Sequence, residues 1–280
     1  MVTPVLDKIK KKLTCWKGRN LSFQGRNILI KSVLCSIPIY NMAIYKWPSS
    51  IIKEAEKIIR NFLWTGDPSK RRITTVSWEK TCKLLQEGGI GIKQLREINL
   101  SMQMKLAWSI LNGTDDFSML MRSKYTRRNG RFIHYYKTSS IWAGIKEALF
   151  EVTTRSQWII GNGNNIDIWR DNWLGDFSLQ QLMQLSDQDI AGQNSKLSSM
   201  VTENVITIPR SLSRILEYLG VSPRSPIICS PQDKDYIIWC PDVKGKFSTK
   251  SAFESIRRTR PKVSWYKNIL NNFIHRKLLL

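Results

Sequence analysis

At 280 residues with 42% hydrophobic side chains, the chain can bury a substantial core and is too apolar for a disordered tail. Forty-four Lys and Arg against 22 Asp and Glu leave a formal charge of +22, which favours a polyanionic partner, nucleic acid first. Five scattered cysteines without a C-x-x-C pair, and only two histidines (His134 and His275), argue against a disulfide framework and a zinc site, and no apolar run reaches the ~18 residues of a membrane span.

The surplus is uneven. Residues 1–80 carry sixteen basic and five acidic side chains, whereas residues 161–240 carry six and nine. The basic N-terminus lacks the apolar stretch of a signal peptide, so the expected compartment is intracellular, nuclear or cytoplasmic, and not the secretory route.

In chain order, residues 1–20 predict an amphipathic basic helix. Val5, Leu6, Ile9 and Leu13 share one face, with Lys8, Lys10, Lys11 and Lys12 mostly on the other. Ser22 is a candidate N-cap for a helix from Phe23 to Ile37, which stops before Pro38 because a residue preceding proline disfavours the helical region. Pro48 and Ser49 open another helix, with Ile51, Ile52, Ala55, Ile58, Ile59, Phe62 and Leu63 as its buried stripe. A polar, basic turn runs from Asp67 to Arg72, and Ser77 caps a short helix, WEKTCKLL.

Gly88-Gly89-Ile90-Gly91 superficially resembles a phosphate-cradling loop but lacks the Lys-Ser/Thr ending, so it reads as a turn. A helix follows from Leu95 to Leu111, with Leu95, Ile98, Met102, Leu106 and Ile110 on one face. Residues 112–135 hold a loop and short helix where Arg122, Lys124, Arg127, Arg128 and Arg131 interleave with Tyr125, Phe132, Tyr135 and Tyr136, either to grip and stack on nucleic acid or as an aromatic-packed linker. A helix near 140–150 leads to two short strands, Trp158–Ile160 and Ile166–Trp169, joined as a β-hairpin by Gly161–Asn165. Asp167 and Asp171 beside it read as turn and cap residues, not metal ligands. Residues 175–233 read as loop around one helix, Ser211–Leu219. Last come a strand from Asp235 to Trp239, a turn at Pro241–Gly245, a strand Lys246–Lys250 and a helix Ser251–Arg258. The fold class is α+β, mainly α, with a helical region at 1–111, a helix plus β-hairpin region at 112–175, a loop-rich linker at 176–233 and a strand-turn-strand-helix piece at 234–280.

Three strings carry a resemblance. The first contains Trp16, Leu21, Ser22, Gly25, Arg26, Leu29, Ile30, Ser32, Val33, Leu34, Ser36, Ile37, Pro38, Tyr40 and Met42, then Phe62, Leu63, Trp64 and Gly66. The second contains Val76, Ser77, Trp78, Glu79, Lys80, Cys82, Gly88, Gly89, Gly91, Ile92, Leu95, Asn99, Lys105, Leu106 and Trp108. The third contains Asp235, Trp239, Gly245, Phe247, Ser248, Lys250, Ser251 and Ala252. At these spacings the chain resembles plant non-LTR (LINE-type) retroelement reverse transcriptases, from the region after the polymerase palm to the start of the zinc-binding segment. The resemblance implies a helical thumb or connector in the N-terminal half. It also covers the string from Trp158 to Leu174.

Polymerisation in that family needs a palm whose paired aspartates hold two metal ions. The adjacent pair here, Asp115-Asp116, sits after a helix without a strand–turn–strand frame and reads as a polar turn. The family's zinc ligands would follow the segment near Leu270, and His275 alone cannot supply four ligands. No spaced carboxylates support a ribonuclease H site. The expected function is therefore that of a catalytically incomplete retroelement fragment with no cofactor, binding RNA or DNA non-specifically through Lys8, Lys10, Lys11, Lys12, Lys17, Arg19, Arg26 and Lys31. Two alternatives stand beside it: part of an active RNA-directed DNA polymerase whose palm lies upstream, and a protein-interaction module built on Trp142, Trp158, Trp169 and Trp173. No membrane partner is expected.

Overall fold

The computed structural model describes residues 3–16, 18–127, 132–133, 141–186, 188–191, 196–221, 227–230 and 232–265. It is mainly helical, with small two-stranded antiparallel sheets in the C-terminal half, as the sequence reading expects. The chain divides into two units. The first comprises Met1–Leu106, Thr138–Ile145 and Ala252–Leu280, and the second Ala107–Lys137 and Lys146–Ser251.

In the first unit, α1 (Thr3–Cys15) is followed by a 3-10 turn at Gly18–Asn20, α2 (Phe23–Leu29), α3 (Ile39–Ile44), α4 (Ser49–Thr65), α5 (Trp78–Thr81) and the first part of α6 (Leu95–Asn112). Helix α4 is the centre of this unit, and α1 and α2 pack against it. Its Ile52, Ala55, Ile58, Ile59, Phe62 and Leu63 are buried, as are Leu6, Ile9 and Leu13 of α1. Each fully buried side chain of this size stabilises by roughly 1.5–3 kcal/mol. Ring contacts extend the core, with Trp16 against Phe62 and Phe23 against Trp64 at centroid distances of 6.1 and 5.3 Å.

The expected N-caps form. Ser22 Oγ accepts from the Gly25 N–H at 3.1 Å and Ser77 Oγ from the Lys80 N–H at 3.3 Å. The expected helix from Phe23 to Ile37 is not uniform: after Leu29 it widens into a π-helical turn, Ile30–Leu34, with the Cys35 N–H donating to the Ile30 carbonyl at 3.0 Å. Here the Ser32 hydroxyl donates to the Ile28 carbonyl at 2.8 Å, competing with the backbone ladder. The Gly88–Gly91 stretch is a turn. Gly88 takes φ 82° to end a 3-10 turn, and a Cβ at Gly89 would collide with the Lys83 carbonyl.

The second unit contains the rest of α6, α7 (Asp116–Tyr125), most of α8 (Trp142–Thr153), β1 (Ser156–Ile159), α9 (Leu179–Leu182), β2 (Val201–Thr202), β3 (Val205–Ile206), α10 (Arg210–Tyr218), β4 (Tyr236–Trp239) and the start of α11 (Thr249–Ile256). Its core gathers Ile166, Ile168, Trp173, Leu179, Leu197 and Leu216, with Trp158 and Trp169 packed on it.

Strand pairing departs from the sequence reading. Strand β1 pairs antiparallel with β4, in the register Ser156↔Trp239 to Ile159↔Tyr236, and not with Ile166–Trp169. The physical reason is the Asp235 carboxylate. It accepts from the N–H groups of Gly161 and Gly163 at 2.8 Å and of Asn165 at 2.9 Å, folding the glycine-rich stretch around itself. Residues 168–170 form a turn, with Asp167 accepting from the Trp169 N–H at 3.0 Å. The expected strand at Lys246–Lys250 does not form either. Phe247 instead stacks on Trp108 at 5.3 Å and meets Trp239 edge-on at 5.0 Å. Within the stretch read as loop, β2 and β3 make a hairpin whose turn residues Glu203 and Asn204 take φ of 51° and 64°.

Candidate nucleic-acid interface

The basic side chains of the first unit lie on three elements, and each element treats them differently. Along α1, at about 100° per residue, Lys8, Lys11 and Lys12 fall within one arc opposite Leu6, Ile9 and Leu13. All three are exposed and have no ion-pair partner among the described residues. Lys10 lies on the flank of the same helix and is paired, its Nζ 3.0 Å from Glu54 Oε1 on α4.

Arg19, in the 3-10 turn, reaches across to the end of α4, where its Nη2 donates to Asp67 Oδ2 at 2.7 Å. Hydrogen bonds from the Ser69 hydroxyl, and then from Arg19, hold the Asp67 carboxyl at about 2, below its ordinary range. The Arg19 side chain stays 61% exposed.

On α2 Arg26 is half-buried, whereas Lys31 of the π turn is exposed but lies against neighbouring chain. Burial lowers Arg26 from its ordinary value, and its Nε is enclosed without a hydrogen-bond partner among the described residues. Burial also lowers Lys31, whose Nζ lies against the backbone at Gly91, 3.2 Å from where a Cβ would stand. Lys17 lies outside the described residues, as do Arg128, Arg131, Tyr135, His134 and His275. The structure thus brings Lys8, Lys11 and Lys12 together on one exposed arc. Lys10 and Arg19 are each engaged by a carboxylate, Arg26 is half-buried, and Lys31 is exposed on a different element.

The carboxylates weighed from the sequence as candidate ligands have local partners. Asp115 is the N-cap of α7, accepting from the Ser118 N–H at 3.0 Å and its hydroxyl at 2.7 Å. Asp171 accepts from the Asp167 N–H at 2.7 Å. Among the described residues, no group of three or more His, Cys, Asp or Glu is placed to hold a metal ion. The tryptophans considered as a docking surface are core residues. Trp142 and Trp173 are buried, and Trp158 and Trp169 are half-buried.

The sequence alone presents Asp67–Arg72 as a connecting turn and does not single out Lys70, Arg71 and Arg72 as candidate contacts. All three are exposed and carry no ion pair among the described residues. Their run of three was the available signal.

Against known proteins, the chain is 26% identical to the putative ribonuclease H protein At1g65750 of Arabidopsis thaliana over 283 residues, which cover 95% of this chain and 44% of that one. It is 27% identical to the uncharacterized mitochondrial protein AtMg00310 of the same plant over 148 residues, 50% of this chain and 94% of that protein. The chain is distantly related to both. It therefore spans less than half the length of the first relative and aligns with almost the whole of the second. No family model and no solved structure matches it. No helix among the described residues is long and apolar enough to cross a membrane.

Proposed function

We propose that the chain binds RNA or DNA without sequence preference, as the post-palm region of a plant non-LTR retroelement protein. The observation that carries the reading is the exposed arc of Lys8, Lys11 and Lys12, fixed opposite the buried stripe of α1 in a chain of charge +22. A rigid helix with lysines on one side offers point charges to successive phosphates, and releasing the counterions there drives binding of any sequence. Arg19, exposed although paired with Asp67, contributes further positive charge. Lys10, Lys17, Arg26 and Lys31 contribute to the general positive field. The larger relative is named a putative ribonuclease H protein, which supports a nucleic-acid setting.

The test is fluorescence-anisotropy titration of the full chain with unrelated duplexes and single strands across a salt series. Charge reversal at Lys8, Lys11 and Lys12 should lower the slope of log K against log salt by about 2–3 on duplex DNA, at ~0.9 per phosphate. An unchanged slope in a variant that melts like the wild type would remove this reading.

A further inference from the structure

The end of α4 carries a loop held by its own hydrogen bonds and followed by three exposed cations. Gly66 closes the helix at φ 72°, its N–H donating to the Phe62 carbonyl at 2.9 Å. The loop then doubles back. The Ser69 N–H and hydroxyl donate to Asp67 Oδ1 at 3.0 and 2.6 Å, and Asn61 Nδ2 donates to the Pro68 carbonyl at 3.1 Å. The Asp67 N–H donates to the Thr65 hydroxyl oxygen at 3.0 Å. Arg19 completes the set through Asp67 Oδ2.

The Asn61 and Thr65 bonds are partly buried, those between Ser69, Arg19 and the Asp67 carboxylate lie at the surface, and the side chains that follow are exposed. Lys70, Arg71 and Arg72 are exposed, and Ile73 behind them is 93% exposed. Asp67 is the only acidic residue between Glu56 and Glu79 in the sequence, and it is already engaged by Arg19. The loop and Arg19 together hold four cations against one carboxylate. An ordered loop loses less entropy on binding than a free basic tail, which favours contacts made from the chain that leaves it.

We infer that Asp67–Arg72 is a preformed phosphate-contact loop that grips the nucleic-acid backbone independently of α1, with Asp67 as its positioning residue. This inference rests on the nucleic-acid reading above. Lys70 offers a point charge, whereas Arg71 and Arg72 present planar forks suited to two phosphate oxygens at once. Asp67 sets the direction of the loop and, through Arg19, ties it to the turn after α1.

The experiment uses the full chain and a fluorescein-labelled 20-base-pair DNA duplex, titrated by anisotropy across a salt series. Replacing Lys70, Arg71 and Arg72 together by Ala should lower the salt slope by about 2–3 and weaken binding by about 100-fold near ~0.1 M salt. Asp67→Asn decides between a positioned loop and bare charge. It raises the net charge by one, so long-range attraction alone would tighten binding, whereas loss of the Arg19 anchor should weaken it. Thermal melts of both variants control for folding.

A loop triple variant with the wild-type slope, or an Asp67→Asn variant that binds more tightly, would overturn the inference. If the α1 variant lowers the slope while the loop variant does not, only the loop assignment falls. If the wild type shows no salt-dependent binding at all, the underlying reading falls with it.

Discussion

Asn99 on α6 holds the end of α3: its Nδ2 donates to the Met42 carbonyl at 2.9 Å. The same nitrogen donates to the Tyr45 carbonyl at 2.9 Å, and its Oδ1 accepts from the Trp47 N–H at 2.8 Å. One buried amide therefore satisfies three backbone groups where the chain leaves α3 and turns toward α4. Gln103 Nε2 also donates to the Met42 carbonyl at 2.8 Å, so Asn99→Leu strands two of the three, the Tyr45 carbonyl and the Trp47 N–H, and at about 1 kcal/mol or more per orphaned group the loss should reach about 2 kcal/mol. Urea unfolding of the two proteins measures it, and a difference below about 1 kcal/mol would contradict this role.

Backbones also meet at Gly18 and Gly66. A Cβ at Gly66 would stand 2.5 Å from the Gly18 carbonyl oxygen, and one at Gly18 would run into the Phe62 ring. Gly66→Ala adds left-handed backbone strain to the clash, so it should cost at least about 2 kcal/mol. Gly25→Ala is the control: that position has a negative φ in α2 and its nearest neighbour to an added Cβ is at 3.5 Å, so the change should be neutral or slightly stabilising in the same melts.

Arg257 and Glu87 form a buried ion pair at 2.8 Å within the first unit, with side chains 11% and 4% exposed. Arg257 also bonds Glu254. Arg257→Met leaves the Glu87 carboxylate without this partner and should destabilise by about 3 kcal/mol. Adding Glu87→Leu should recover most of that loss, because two apolar groups need no pairing. A double variant as weak as the single one would show that packing, not charge burial, sets the cost.

In the second unit, burial pushes the Asp171 carboxyl up to about 6, with like charge from Asp167 adding to it and bonds from the Asp167 N–H and the Trp158 side chain opposing it. The folded chain therefore holds this proton more tightly than the unfolded chain. The ionised carboxylate costs stability above pH 6, and that cost fades as pH falls toward the ordinary carboxylate value. Asp171→Asn keeps an acceptor for the Asp167 N–H. Relative to wild type, it should be more stable by about 1–2 kcal/mol at ~pH 7.5 than at ~pH 4.5. Equal differences at the two pH values would exclude Asp171 as the titrating group.

Legibility followed range along the chain. Ser22, Ser77 and the stripe of α4 were readable because a cap and its N–H lie three residues apart, and a helical face repeats every turn. The π turn after Leu29 was not readable, since one hydroxyl-to-carbonyl bond at Ser32 leaves no periodic trace. The partner of β1 was misread for a similar reason. Gly161–Asn165 has hairpin composition, but the carboxylate that shapes it comes from Asp235, more than 70 residues on.

The candidate interface divides in the same way. Composition and spacing alone determined that this chain is mainly helical, strongly basic at its N-terminal end, and built on an α1 with lysines opposite an apolar stripe. Only the tertiary structure decided which of these cations meet a carboxylate. Lys10 meets Glu54 across 44 positions and Arg19 meets Asp67 across 48, while Lys8, Lys11, Lys12, Lys70, Arg71 and Arg72 face solvent. A charge pair at a few ångströms depends on where two helices end in space, and the order of residues within either helix carries no record of that distance.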